Sequence, residues 1–207
     1  MKKIKLYTLY TETHKSLFDD YMFKSFKEKG LDSNFDLDIT VGEQFSQTGN
    51  YASSGFEKTG LDKLKLFKRA SEENENEIFC FSDVDIIFIG NFYKDAIEMP
   101  ENIDILAQDE NEDNMCTGFF FARGSKKLTD FFDFCIKQCE AEGVHDQHWV
   151  NTHKDMINYA LLPKSRYCTI GHRNGIPEST LMFHANFIVG VGEKIKMLNN
   201  VKQLLKQ

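Results

Sequence analysis

One stretch limits the fold more than any other. Ile78-Phe79-Cys80-Phe81 runs into Ser82-Asp83-Val84-Asp85, and a second apolar run, Ile86-Ile87-Phe88-Ile89-Gly90, follows at once. The first run has the length and the aromatic and β-branched content of a strand buried on both faces. Such a strand belongs in the middle of a mainly parallel sheet flanked by helices. Open α/β sheets bind ligands at the carboxyl ends of their strands, which is where Asp83 and Asp85 fall. Two carboxylates between apolar segments are costly unless something pairs with them. A divalent cation makes the best use of two acidic oxygens so close together. The plainer alternative is a turn whose acids cap a helix.

The flanking sequence supports a layered α/β chain. Ile4 to Tyr10 reads as a first strand. Thr13 reads as an N-cap, Leu17, Phe18, Tyr21, Met22 and Phe26 follow at helical spacing, and Gly30 closes the helix. Phe35 to Val41 alternates as a second strand, so a right-handed β-α-β unit opens the chain. Gly42 to Gly55, with Tyr51 in its middle, is a polar loop long enough to suggest function. Leu61 to Ala70 is an amphipathic helix with Leu64 and Phe67 inward and Lys63, Lys65, Lys68 and Arg69 mostly outward; a solvated acidic stretch, Glu72 to Glu77, follows. Strands are predicted at Ile103–Gln108 and Thr117–Ala122, and a helix capped by Ser125 and ended by Gly143 follows. A short helix opens near His145, short strands are expected at 161–162, 167–170 and 181–183, and Glu193 to Lys206 makes the last helix.

Bulk properties exclude several classes. The 207 residues carry a net charge of −7, which argues against general affinity for nucleic acid or anionic membrane. No apolar run reaches the length of a membrane span, and no signal-peptide pattern follows Met1. Five cysteines without paired metal spacing read as reduced and the chain as cytoplasmic. The length suggests one domain over residues 1–207.

Several polar residues carry two readings each. His184 is either a hydrogen-bonded core histidine or a third ligand, suited to Mn²⁺, which accepts nitrogen better than Mg²⁺ does. Lys194 is an exposed lysine or a contact for a diphosphate. Asp146 caps a helix or meets a sugar; Gln147 is harder to explain as a cap. Asp109 ends a strand, a common place for substrate contact. Thr117 and Gly118 open a strand where backbone can approach a ligand, or Gly118 relieves a bend. His145 and His148 are three apart, but no third zinc ligand has suitable spacing.

In sequence order, Asp83-Val84-Asp85, Asn91-Phe92, Thr117-Gly118-Phe119-Phe120-Phe121-Ala122-Arg123, Asp146-Gln147 with Asn151, and His184-Ala185-Asn186 resemble the nucleotide-diphospho-sugar transferases of GT-A fold. The likeness is to the DxD-containing group of plants, bacteria and large DNA viruses, and the compact size is similar to viral or bacterial members. The resemblance implies a GT-A-like, Rossmann-type sheet with a smaller antiparallel portion on the acceptor side, in which residues 1–110 are mainly nucleotide-binding and 111–207 lie mainly on the donor-sugar and acceptor side. It implies metal-dependent transfer of a sugar from a nucleoside diphosphate, a UDP-sugar, to a hydroxyl acceptor such as a glycan, with Mn²⁺ or Mg²⁺ as cofactor. Asp83, Asp85 and His184 would hold the metal, and Asp83 and Val84 would also border the nucleotide. Thr8, Leu9 and Tyr10 would line the nucleoside pocket. Lys65 or Arg69 would approach the uracil or phosphates, and Lys194 the diphosphate. Asp109, Thr117 and Gly118 would face donor sugar or acceptor. Asp146 and Gln147 would flank the transferred sugar, with Asp146 or Asp109 as the base if the product is inverted. After His184 the chain lacks the Lys-Pro-Trp-like ending of related families, which loosens the Lys194 assignment.

Three rival readings stand beside this one. A binding module that has lost transfer predicts nucleotide affinity without turnover. A phosphohydrolase needs two metals and more acids than Asp83, Asp85 and Asp109. A plain interaction domain predicts no ligand at Asp85.

Overall fold

The computed structural model describes residues 2–46, 53–111 and 113–206. Its elements follow in chain order. Strand β1 is Ile4–Tyr10, and a first helical segment comprises α1 (Lys15–Leu17), a π-helical run Phe18–Phe23 and α2 (Lys24–Glu28). Next come β2 (Phe35–Val41), α3 (Phe56–Glu73), β3 (Ile78–Ser82), β4 (Ile86–Phe88), α4 (Tyr93–Ile97), β5 (Ile105–Asn111) and β6 (Asn114–Arg123). Helices α5 (Lys126–Glu142) and α6 (Asp146–Thr152), strands β7 (Tyr159–Leu162), β8 (Tyr167–Cys168) and β9 (Met182–His184), and helix α7 (Val191–Leu204) complete the chain.

The main sheet has the order β2-β1-β3-β6-β5-β7. Five strands run one way, and β6 alone is reversed, pairing antiparallel with β3 and β5. Strand β3 is central, as its apolar content requires. Its alternate side chains supply two separate cores. Phe79 and Phe81 pack with Phe67, Phe120 and Phe132 under α3 and α5. Cys80 joins Leu6, Phe119 and Phe121 against the first helical segment and the C-terminal region. Burying a phenylalanine in either layer contributes about 1.5–3 kcal/mol.

The second apolar run does not prolong β3. It leaves the main sheet as β4 and joins a three-stranded sheet, β4-β9-β8, in which β4 is antiparallel to β9. The acidic pair therefore sits at the junction of two sheets.

Two predicted caps lie elsewhere. Thr13 falls inside a 3₁₀ turn, Glu12–His14, whose N-cap is Thr11. His145, not Asp146, holds the N-cap position of α6, so the side chain of Asp146 is free for other partners. Ser125 caps α5 as expected, accepting from the Leu128 N–H, and Gly143 ends it in the left-handed region at φ 68°. Tyr51 lies outside the described residues.

Candidate active site and metal centre

Where β3 ends, the Asp83 N–H still donates to the Gly118 carbonyl at 2.7 Å, so the first aspartate is anchored to β6. Asp85 is anchored to the other sheet, its carbonyl accepting from the Ala185 N–H at 2.9 Å. The antiparallel register sets Ile86 opposite His184. That pairing brings a histidine from the far end of the sequence beside Asp85. His184 Nε2 lies 3.2 Å from Asp85 Oδ1 and 4.0 Å from Asp83 Oδ2. Ligand atoms of Asp83, Asp85 and His184 all fall within 4.8 Å of one another.

The histidine is oriented from behind. Gln108 is fully buried and gives its Nε2 protons to the Tyr167 and Cys168 carbonyls, at 3.2 Å each. Its Oε1 must then accept, and the donor is His184 Nδ1–H at 2.8 Å. Nε2 is left to face the carboxylates, an arrangement in which a second residue fixes a metal ligand's tautomer. Gly118 clears the space in front. A Cβ there would stand 2.4 Å from His184 Cε1 and 2.7 Å from Asp83 Oδ2.

These groups form the floor of a cleft of about 510 Å³. Leu9, Tyr10, Thr11 and His14 make one wall; Thr59, Gly60 and Lys63 of α3, with Asp146 and Gln147 of α6, make another. Glu110, Cys116, Thr117, Asn186 through Val191, and Lys194 also line it, as do Ser46, Phe56 and His145.

Two lysines neutralise the acids. Lys194 Nζ is 2.5 Å from Asp85 Oδ2. Lys63 Nζ bridges Asp83 Oδ1 at 3.0 Å and Asp146 Oδ2 at 3.3 Å. Burial alone would raise the Asp85 pKa, but the Lys194 and His184 charges and hydrogen bonds hold it well below the usual carboxylate range. Burial would lower that of His184, but Asp85 and its hydrogen bond push it up to about 10. Burial opposes the charge of Lys63 too, and the Asp146 and Asp83 carboxylates raise its pKa nonetheless. Asp146 is buried; despite that desolvation, Lys63 and the Thr117 hydroxyl, donating at 2.7 Å, keep it ionised.

Gln147 is held at both ends of its amide. Oε1 accepts from the Thr117 N–H at 3.1 Å, and Nε2 donates to Glu110 Oε2 at 2.6 Å. Asn151 clamps α6 to β6, accepting from the Met115 N–H and donating to the Met115 carbonyl, at 2.8 Å each. Glu110, half-buried, has its pKa raised, chiefly by burial. His14 sits low, from burial and the nearby Lys194 charge.

Several expected residues lie elsewhere. Lys65 is on the outer face of α3, 3.7 Å from Glu140 with both side chains half exposed. Arg69 reaches Asp38 and Thr40 of β2, at 3.0 and 3.3 Å. Neither lines the cleft; the basic residue of α3 that does is Lys63, expected to point outward. It falls on the inner stripe with Gly60, Leu64 and Phe67, spacings of three and four that the sequence already contains. Asp109 also turns away, pairing with Lys164 at 3.3 Å. Alternation along β5 sends Gln108 and Glu110 to the site side and Asp109 to the other, and register shifts at Ala107/Gln108 and Asp109/Asn111 hide that phase from pattern reading. Thr8 is fully buried off the cleft, whereas its neighbours Leu9 and Tyr10 line it. The His145 and His148 rings are 6.4 Å apart with no third ligand grouped with them among the described residues. His14, Gln108 and Glu110 gave no sequence signal, because each is a single polar residue without a motif around it; Asn186 stood within the His184-Ala185-Asn186 motif with no role attached to it.

The three cleft-floor ligands fit a hard divalent cation: two carboxylate oxygens, one imidazole nitrogen of fixed tautomer, and a glycine that leaves room. Comparison with solved structures agrees with this arrangement of sheets. A glycosyltransferase involved in glycosylation of the major capsid of PBCV-1 superposes with TM-score 0.67 at 11% identity, covering 98% of this chain and 100% of that one. The galactosyltransferase LgtC, solved with donor and acceptor sugar analogs, gives 0.60 at 9% identity, over 97% of this chain and 96% of that one. GlyE of Streptococcus pneumoniae TIGR4 gives 0.58 at 15%, over 98% of this chain and 64% of that one. No curated protein sequence matches the chain. The family model for nucleotide-diphospho-sugar transferases matches residues 17–198. With the sheet order, the acidic pair and the family model in agreement, the chain belongs to the nucleotide-diphospho-sugar transferase family and is a glycosyltransferase of GT-A fold.

Proposed function

We propose that the chain transfers a sugar from a UDP-sugar to a hydroxyl of an acceptor glycan, with Mn²⁺ or Mg²⁺ held by Asp83, Asp85 and His184. The observation that carries this reading is the convergence of those three ligands, from two sheets, on the floor of the cleft. When bound, the cation supplies Lewis-acid stabilisation of the departing diphosphate.

The chain's own residues do the rest. Lys194, already on Asp85, is placed to follow negative charge onto the diphosphate. Leu9 and Tyr10 offer an apolar wall for the nucleoside, with Val84 beside them. Residues 1–110 thus supply most of the nucleotide side, and 111–207 supply the sugar side together with His184 and Lys194. Lys63 orients Asp83 and Asp146 at once. Asp146 and Gln147, fixed by Thr117, border the space left for the transferred sugar, and the bare Gly118 backbone lets that sugar approach. The transition state has oxocarbenium character, and nearby fixed anions stabilise it.

Stereochemistry separates two roles. An inverted product requires a base, and Glu110 suits the task, since burial raises its affinity for a proton. Asp146, kept ionised by Lys63, is a weak base. A retained product leaves the acceptor proton to the departing diphosphate and makes the Asp146–Gln147 pair the support beneath the sugar. Anomer-resolved NMR of fresh product decides between them. Screening UDP- and GDP-sugars by thermal shift, with and without Mn²⁺, tests the donor class; a chain that responds to neither nucleotide contradicts the proposal. A two-metal phosphohydrolase needs more ligands than the single cluster found among the described residues.

A further inference from the structure

The main sheet ends at β2, and that edge stands open. Among the described residues β2 pairs with β1 alone, in an unbroken parallel register from Phe35 opposite Ile4 to Val41 opposite Tyr10. The Asn34 carbonyl accepts from the Ile4 N–H at 3.0 Å, and the Gly42 N–H donates to the Tyr10 carbonyl at 2.8 Å. Even-numbered residues therefore turn their backbone groups to β1, and Leu37, Ile39 and Val41 turn theirs outward. The side chains of Ile39 and Val41 are 44% and 62% exposed. Edge strands are usually shielded by shortness, proline, lysine or a bulge. The opposite edge, β7, has four residues and runs into Pro163-Lys164. Strand β2 has seven residues, no proline, no lysine and no bulge. Its only shield is a pair of acids, Asp36 and Asp38, on the face toward α3. Arg69 of α3 answers the second, donating to Asp38 and to Thr40 with its own side chain 44% exposed.

We propose that two copies of the chain associate through β2, antiparallel about a two-fold axis at Ile39, so that their main sheets become one. The charge pattern selects a second copy as the occupant. Turned end for end about Ile39, the strand sets Leu37 against Val41 and Asp38 against Thr40 of the other copy. Arg69 lies over Thr40, so each Arg69 falls between its own Asp38 and that of the other copy. The acids at the centre of the seam then meet guanidinium groups. Parallel addition would set aspartate beside aspartate and would not close. On the other face Ile39 meets Ile39 and Val41 meets Leu37, which covers the exposed aliphatic row. About six backbone hydrogen bonds form, two at each pair of outward residues. A seam of this size lies at the small end of specific interfaces, so a Kd on the order of 10 µM is expected. The proposal does not rest on sugar transfer, because no residue of β2 lines the cleft.

Sedimentation velocity of the whole chain tests this from about 1 to about 200 µM, in about 0.15 M salt, where the charge of −7 on each copy is screened beyond about 8 Å. The mass should rise with concentration from 24.0 kDa toward twice that value. Ile39→Lys sets two ammonium groups face to face at the axis and should raise the Kd at least about tenfold. Its melting temperature, taken where the parent is monomeric, should stay within about 2 °C of the parent, since the side chain is nearly half exposed. Arg69→Glu should weaken association as well, and Asp38→Arg combined with Arg69→Glu should restore it in part; a bond that serves only one copy predicts no such recovery in the Kd. Cross-linking reads the register. The native cysteines are all buried, so Ile39→Cys supplies an exposed thiol, and a short bismaleimide should join two copies through it. Ile97→Cys, at a residue 51% exposed on α4, should not cross-link. A monomer at every concentration leaves the edge to a strand of some other protein and overturns the proposal. So does a dimer that survives Ile39→Lys, or one that cross-links through Ile97→Cys and not through Ile39→Cys, because either must use another face.

Discussion

Gln108 accepts a hydrogen bond from His184 Nδ1 at 2.8 Å, and that contact decides which imidazole nitrogen faces Asp83 and Asp85. The direction is not negotiable, because the amide nitrogen of Gln108 is committed to two carbonyls. Gln108→Leu keeps the size and deletes the acceptor. It should weaken Mn²⁺ binding about 10–100-fold, the usual effect of losing a residue that orients a ligand, and titration calorimetry checks it.

Gly118 is predicted to be intolerant of a single methyl group. A Cβ there would stand 2.4 Å from His184 Cε1 and 2.7 Å from Asp83 Oδ2. Gly118→Ala should abolish Mn²⁺-dependent UDP binding. Gly175→Ala, where a Cβ meets nothing within 4 Å, should leave it unchanged and serves as the control in the same calorimetric series.

The two lysines at positions 63 and 65 should behave oppositely. Lys63→Met leaves Asp83 and Asp146 without their shared cation, so the variant should lose about 3–5 kcal/mol of stability, typical of breaking a buried pair. Lys65→Met severs an exposed pair and should change stability by less than about 1 kcal/mol. Urea denaturation measures both, and donor turnover should fall only in the first.

The acidic cluster also sets a pH dependence. In the metal-free chain the His184 pKa is raised from 6.5 to about 10, so its contribution to stability is complete below pH 6.5 and lost as pH rises toward 10. Asp85 is lowered well below 3.8, so its contribution is present above that pH and lost as acid protonates it. The metal-free cluster therefore stabilises most between about pH 4 and 6.5. A cation must displace the His184 proton, so the rise in melting temperature on adding Mg²⁺ should grow from pH 6 to pH 8.5. A rise that shrinks over that range contradicts the ligand role of His184.

Much of the fold was legible because periodicity reports burial. The runs at 4–10, 35–41 and 78–82 gave strands with the expected neighbours, and Asp83 and Asp85 fell where a central strand ends. What the pattern could not carry was direction. Nothing in Ile86-Ile87-Phe88 says that it leaves one sheet for another, nor that Asn114–Arg123 runs backwards. The phase of side chains was lost in the same places. Asp109 and Glu110 exchange faces through irregularities that only the register shows, and Lys63 was misplaced because its charge outweighed its helical position. Gln108 was invisible because a lone glutamine in a strand gains meaning only from a histidine brought in by another sheet.

Calorimetric titration of UDP, with and without Mn²⁺, on the parent chain and on Asp85→Asn tests the central claim most directly. The parent should bind UDP only when the cation is present, and the variant should lose that binding while still melting in one cooperative transition. Equal UDP affinity in the two chains, or binding that ignores the cation, would contradict a metal held by Asp83, Asp85 and His184.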